Sequence, residues 1–305
     1  MGSDHGPEVP VRGAVLAARE LPSLVRLVLI GDPDRIARAL QAEGADPAAF
    51  DIVPSRDDIT MEDNPTKAFQ TKPESSISLG FQLLKAGKID VFASTGNTGA
   101  MLVGSVVLIK PIPGVIRPCI PTLVPKEGGG VGILLDVGAN ADCKSDVLAQ
   151  FGLLGSLMAE HLYHVPSPKV ALLNIGEEDK KGDSLRKDTF ELMREQTQYN
   201  FVGNVEGRDL FNQKADVMVC DGFTGNVVLK VIEGFHDLLE DHGVKDPFLQ
   251  RFNYENYGGL PVLGVNGNVI IGHGISNEVA IKSMVFAARD LVESKLNERI
   301  QEALK

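Results

Sequence analysis

Short, nearly continuous apolar runs alternate along the chain with longer amphipathic stretches. The runs Leu27–Ile30, Ile89–Ala93, Val131–Val137, Lys169–Ile175 and Asp216–Cys220 have the length and uniform apolarity of strands covered on both faces. Between them, Pro73–Ala86, Thr98–Ile109, Ser145–Leu162, Ser184–Thr197 and Asn226–Leu239 carry helical periodicity. The alternation predicts an α/β fold with a mainly parallel sheet. A long helix is expected over Asn277–Leu304, with Leu291, Leu296, Ile300 and Leu304 on one stripe. Asp51–Lys72 is polar and poorly periodic and reads as a long loop, and Asp241–Gly259 is a second irregular stretch.

Composition narrows the function classes. The 305 residues are 43% hydrophobic and 23% charged, an ordinary globular balance. No Pro/Ser-rich linker or repeat divides them. The net charge is −11 and Trp is absent, which argues against a nucleic-acid binder. Cys119, Cys143 and Cys220 match no zinc spacing and read as reduced cytosolic thiols. No uncharged apolar stretch approaches the ~18 residues of a membrane span.

The chemistry gathers where predicted strands end. Ile89–Ala93 runs into STGNTGA, Val131–Val137 into GAN, Lys169–Ile175 into GEEDKKGD and Asp216–Cys220 into DGFTGN. Ligands of open α/β sheets bind at such carboxyl ends. In STGNTGA, Gly96 and Gly99 allow close backbone approach, while Thr95, Asn97 and Thr98 offer donors at a helix start. That is an anion cradle, or a tight turn with a cap. It carries neither the Walker lysine nor the GxGxxG fingerprint, so phosphate without a nucleotide, and no cofactor, is expected. Asp221 is a candidate acid or a helix N-cap, with Gly225 and Asn226 in the turn that follows. Lys72 and Ser75 in TKPESS can hold an anion or simply start a helix. Lys181 lies in a charged run that otherwise reads as solvated loop. His273, between two glycines, is a further candidate, and His161 with His164 forms an i, i+3 pair lacking a third ligand for a metal.

Eight segments together resemble the bacterial phosphate acyltransferases of the PlsX type. They are MGSDHGPE (Met1–Glu8), TKPESS (Thr71–Ser76), STGNTGA (Ser94–Ala100), LLDVGAN (Leu134–Asn140), KKG within Asn174–Gly182, GNVEGRD (Gly203–Asp209), DGFTGN (Asp221–Asn226) and YGGLPVLGVNG (Tyr257–Gly267). They occur in family order over nearly the whole chain. The resemblance implies a single 1–305 domain of two intertwined halves. Its expected fold is a three-layer α/β/α sandwich with a large mixed sheet, similar to phosphotransacetylase and isopropylmalate dehydrogenase. It implies transfer of a long-chain acyl group from acyl carrier protein to orthophosphate, with acyl phosphate passing to a membrane acyltransferase of phospholipid synthesis. A phosphotransacetylase-type enzyme using coenzyme A, and a non-catalytic carrier-protein scaffold, are the alternatives.

The resemblance points to Lys181 and Asp221 as catalytic. It leaves Asp4, Lys72, Ser75, Thr95, Gly96, Asn97, Thr98, Gly99, Asn140, Gly225, Asn226 and His273 as candidates for phosphate or substrate binding. It also implies a homodimer in the cytoplasm with peripheral access to the membrane. The family's membrane-docking region falls on Asp237–Asn253, which is shorter and more polar here. An acidic carrier protein is expected to dock on local basic residues, with Arg117, Lys126, Lys245 and Arg251 as candidates. Family members open with a strand before the first motif. The expectation is therefore that the natural protein starts about ten residues earlier, one strand plus its lead-in, or that a neighbouring segment fills the strand's place.

Overall fold

The computed structural model describes residues 6–305, so Asp4 lies outside the described residues. The chain divides into two compact units, 1–110 with 254–293 and 111–253 with 294–305. The fold is α/β with parallel-rich, mixed sheets of two, three and five strands.

The first unit opens with α1 (Glu8–Ala18), β1 (Leu27–Gly31), α2 (Pro33–Ala42) and β2 (Phe50–Pro54). β1 and β2 pair in parallel as an isolated two-stranded sheet. Asp32 starts α2 by accepting the N–H groups of Asp34 and Arg35, with Pro33 at the first helical position. Then follow α3 (Pro65–Thr71), α4 (Ser76–Lys85), β3 (Val91–Ser94) and α5 (Thr98–Gly104), which continues as a π-helical turn over Ser105–Ile109. The expected loop Asp51–Lys72 thus contains both β2 and α3. β2 hides its strand character because Asp51 and Pro54 are exposed. α3 is too short for its period to show, and its start is set locally by the Asn64 cap and Pro65.

The chain returns to the first unit with β9 (Leu260–Pro261), β10 (Asn268–Ile271) and α9 (Glu278–Ser294). β10 pairs in parallel with β3 and antiparallel with β9. Among the described residues, the outer edges of β1 and β3 carry no strand partner. Both line one cavity of about 610 Å³, whose walls include Leu24–Ile30, Lys88–Gly96, Val11 of α1 and Met284 of α9. The expected filling segment is not found among the described residues.

The second unit is built on β4 (Pro121–Pro125), β5 (Val131–Leu135), β6 (Lys169–Leu173), β7 (Asn200–Val205) and β8 (Val217–Val219), in the order β4-β5-β8-β6-β7. Only β4 runs antiparallel. Its helices are α6 (Ser145–His161), α7 (Ser184–Arg194), α8 (Gly222–Asp241) and α10 (Leu296–Ala303). Alternate strand residues face opposite layers, as a pleat requires. Leu134, Ala171 and Met218 pack under Val228, Leu229 and Ile232 of α8. On the other face Gly155 of α6 lies directly on Val217 and Leu135. This gives three layers, helix on sheet on helix. The expected terminal helix is two helices, because Lys295 adopts a left-handed conformation (φ 52°) between α9 and α10.

Candidate functional site

In the first unit, the parallel pairing of β3 and β10 brings the Ser94–Gly99 turn and the His273 loop to one sheet edge. The Gly272 N–H donates to the Ser94 carbonyl at 2.9 Å. The His273 ring meets Tyr254 edge-on at 5.7 Å between centroids. Asn97 caps α5: its Oδ1 accepts the Ala100 N–H at 2.9 Å. Its Nδ2 donates to the carbonyls of Thr60 and Asp63, at 2.9 and 3.2 Å. The Asn97 side chain is therefore buried, with both its amide oxygen and its amide nitrogen bonded within the fold. Gly99 is explained by packing, since a Cβ there would lie 2.4 Å from Pro65 Cγ. Gly96 sits against Ile77 and its N–H already donates to Ser94 Oγ. Thr95 is buried. Thr98 is exposed at the start of α5, where the Ala100 N–H is taken by the Asn97 cap and the preceding N–H groups have, by helix geometry, no acceptor within the helix.

Lys72 and Ser75 both make contacts within the fold. Lys72 Nζ donates to Asp63 Oδ2 at 2.7 Å and to the Asp58 carbonyl at 2.8 Å. That hydrogen bond holds the Asp63 carboxyl below its ordinary range. Ser75 is fully buried as the N-cap of α4, its hydroxyl shared with Ser78.

In the second unit, β5, β8 and β6 are parallel neighbours, so three motifs reach one carboxyl edge. GAN follows β5, DGFTGN follows β8 and the KKG loop follows β6. The GAN turn is organised by Asp136, which is fully buried. Its carboxylate accepts the N–H groups of Ile120, Ala139 and Asn140 and the Asn140 side-chain amide. Burial pushes the Asp136 carboxyl up, against these hydrogen bonds. Asn140 also donates to the Pro118 carbonyl at 2.8 Å, and Asn226 donates to the Val137 carbonyl at 3.2 Å. Both amides thus bond to backbone carbonyls. Gly225 allows α8 to approach the sheet, since a Cβ there would lie 2.0 Å from the Asp136 carbonyl oxygen.

Asp221 is both cap and ion-pair partner. Its Oδ1 accepts the Thr224 N–H at 2.8 Å. Its Oδ2 accepts the Thr224 hydroxyl at 3.0 Å and the guanidinium of Arg186. Arg186, only 17% exposed at its side chain, also binds Asp183 Oδ2 at 3.0 Å. Lys181 is half exposed and contacts Glu178 at 3.8 Å. Asp136 and Arg186 are not among the candidates that the sequence motifs offer. An acid closing an apolar strand signals Asp136, whereas nothing in the local pattern marks Arg186.

The thiols are free, with Cys119 and Cys220 buried. Burial, with Asp136 and Asp221 nearby, pushes Cys143 up to about 11, so none suits thiolate chemistry. Among the described residues the one group of three or more side chains with metal-ligand spacing is Glu177, Glu206 and Asp209. Lys214 and Arg208 form ion pairs with all three of its carboxylates. Of the expected basic docking residues, Lys126 is buried, with its Nζ on the carbonyls of Asn212 and Ala215. Arg251 donates to the carbonyls of Lys126 and Gly130. Arg117 and Lys245 are exposed.

The chain is similar to solved phosphotransacetylases in fold. A Streptococcus pyogenes phosphotransacetylase has a TM-score of 0.68 at 16% identity, over 92% of this chain and 91% of that one. The EutD phosphotransacetylase of Staphylococcus aureus has a TM-score of 0.63 at 17% identity, over 94% and 92%. In sequence, it is 42% identical to a phosphate acyltransferase of Desulforamulus reducens, over 100% of this chain and 96% of the relative. It is 39% identical to one of Dictyoglomus turgidum, over the same shares. The family described as "Fatty acid synthesis protein" matches residues 1–246 and 243–299. With a full-length match to that family and to these relatives, the chain belongs to the phosphate acyltransferase family.

Proposed function

We propose that the chain transfers a long-chain fatty acyl group from acyl carrier protein to orthophosphate, giving acyl phosphate for phospholipid synthesis. The observation that supports this reading is the gathering of GAN, KKG and DGFTGN at one carboxyl edge in a member of this family. Orthophosphate is itself the nucleophile. Its oxygen bonds to the thioester carbonyl carbon, the C–S bond breaks, and the carrier thiolate leaves and takes up a proton. No covalent enzyme intermediate is needed, so the protein's task is to orient the reactants and stabilise charge. Lys181, half exposed and weakly held, pairs with phosphate or protonates the departing thiolate. Asp221 orients the nucleophile.

The same reading makes the protein a cytoplasmic homodimer that supplies a membrane acyltransferase. Phe223, Val227, Val231, Phe235 and Leu238 form an exposed apolar stripe on α8, which supports a covering second copy. A monomer by light scattering would remove that part.

The test is mass spectrometry of palmitoyl carrier protein incubated with the enzyme, with and without orthophosphate, and with palmitoyl coenzyme A as the competing donor. Phosphate-dependent loss of the carrier thioester is expected. Undiminished loss without phosphate would make the protein a thioesterase, and a preference for coenzyme A would favour the phosphotransacetylase-type reading. Lys181→Ala should lower turnover by roughly 100-fold or more, the scale of a positioned acid–base group. Asp221→Asn should do the same while keeping a favoured N-cap acceptor. A folded variant with native turnover removes that residue from the mechanism.

A further inference from the structure

We propose that Arg186 is a positioning residue that latches the Lys181 loop to Asp221; for activity, this rests on the function proposed above. Lys181 and Asp221 stand on different strand ends, after β6 and after β8. The described contacts between these two segments converge on Arg186. On one side, its Nη1 binds Asp183, which caps α7 by accepting the Arg186 N–H at 2.8 Å. Its stem packs on the loop itself: a Cβ on Gly182 would lie 2.8 Å from Arg186 Cβ. Gly182 has a φ of +87°, so the loop reaches this approach in a conformation that favours glycine. On the other side, Nη2 binds Asp221 Oδ2 and Thr224 Oγ1, the latter at 3.2 Å.

Asn174 closes the loop from beneath. Its Nδ2 donates to the Lys181 carbonyl at 3.2 Å and to Asn204 Oδ1 at 3.1 Å. Neither contact reaches Asp221. A planar guanidinium can bridge two carboxylates in fixed geometry, as an ammonium cannot. Arg186 thereby fixes the position of the Asp221 carboxylate and the path of the 176–183 loop at once.

Arg186→Met removes the fork while keeping most of the stem. Amide hydrogen exchange should then accelerate in two places together, the 176–183 loop and the first turn of α8, with Arg186→Lys restoring only part of the protection. Faster exchange confined to 184–187 would overturn the latch. This readout does not depend on which reaction the enzyme performs. In the acyl-transfer assay, Arg186→Met should lower kcat by roughly 10- to 100-fold, the cost of a misplaced group, and leave KM for the carrier unchanged. Combined with Asp221→Asn it should lose no more than Asp221→Asn alone; multiplying losses would mean that Arg186 acts elsewhere. The double variant removes both charges of a buried pair, so it keeps the exchange test available if Arg186→Met does not fold. A wild-type enzyme that cleaves the thioester without phosphate overturns the proposed function, and the exchange result still decides the latch.

Discussion

Lys72 and Asn97 converge on the same short stretch of chain, the turn from Asp58 to Asp63. Lys72 takes the Asp58 carbonyl and the Asp63 carboxylate, and Asn97 takes the carbonyls of Thr60 and Asp63. Residue types that read as an anion site in sequence are here donors to a loop of their own unit. The Lys72 hydrogen bond holds Asp63 below its ordinary range, so the folded value lies under the unfolded value of about 3.9. Stability from this pair is then complete above about pH 4 and is lost as pH falls through the folded value. Lys72→Met should lower the melting temperature at pH 7, and the gap to wild type should narrow on acidification below pH ~4. KM for orthophosphate should stay at its native value. A raised KM with no stability loss would return Lys72 to the substrate site.

At the scale of elements, α8 holds an internal control. Gly225 and Gly234 are both helical, and the sequence alone cannot rank them. At Gly225 an added Cβ would lie 2.0 Å from the Asp136 carbonyl oxygen, a backbone atom that cannot swing aside. At Gly234 an added Cβ meets nothing within 4 Å. Gly225→Ala should therefore destabilise by at least the ~1–3 kcal/mol typical of overpacking. Gly234→Ala should stabilise by about 1 kcal/mol, the helix-propensity gain of Ala over Gly. Chemical denaturation of the two variants checks both signs. Equal effects would mean that α8 does not rest on β5 as described.

The same contrast explains how far the sequence was legible. Buried strands with no polar interruption, such as β5, β6 and β8, announce themselves. So does a helix as regular as α6. β2 and α3 did not, because one is half exposed and the other is under two turns long. For the site, the glycine-rich strand ends were visible, since a Gly/Asn/Asp cluster after an apolar run has few other causes. Which polar atoms face a ligand and which face the fold was not. Asn97, Asn140 and Asn226 all direct their amides to backbone carbonyls, and those partners lie 22 to 89 residues away in the chain.

For the molecule as a whole, the first unit carries an unusual feature: two parallel-sheet strands, β1 and β3, each with an edge on the same cavity that is unpaired among the described residues. The cavity walls are mostly apolar, from Val11 and Ile36 on one side to Ile281 and Met284 on another. A fatty acyl chain would match that apolarity but could not pair the N–H and C=O groups along the two edges. An extended peptide does both, placing side chains against the walls and bonding each edge at the ~4.8 Å spacing of neighbouring strands. Open edges otherwise template association between copies. Supplying one strand-length apolar segment, about five or six residues, as a free peptide should therefore raise the melting temperature and reduce aggregation. It should also slow amide exchange at Leu27–Ile30 and at Val91–Ser94 together, because one strand between the edges protects both. Slower exchange at only one edge would mean that the segment adds to the outside of a sheet. No change at either, with an unchanged melting temperature, would show that the cavity does not accept a strand.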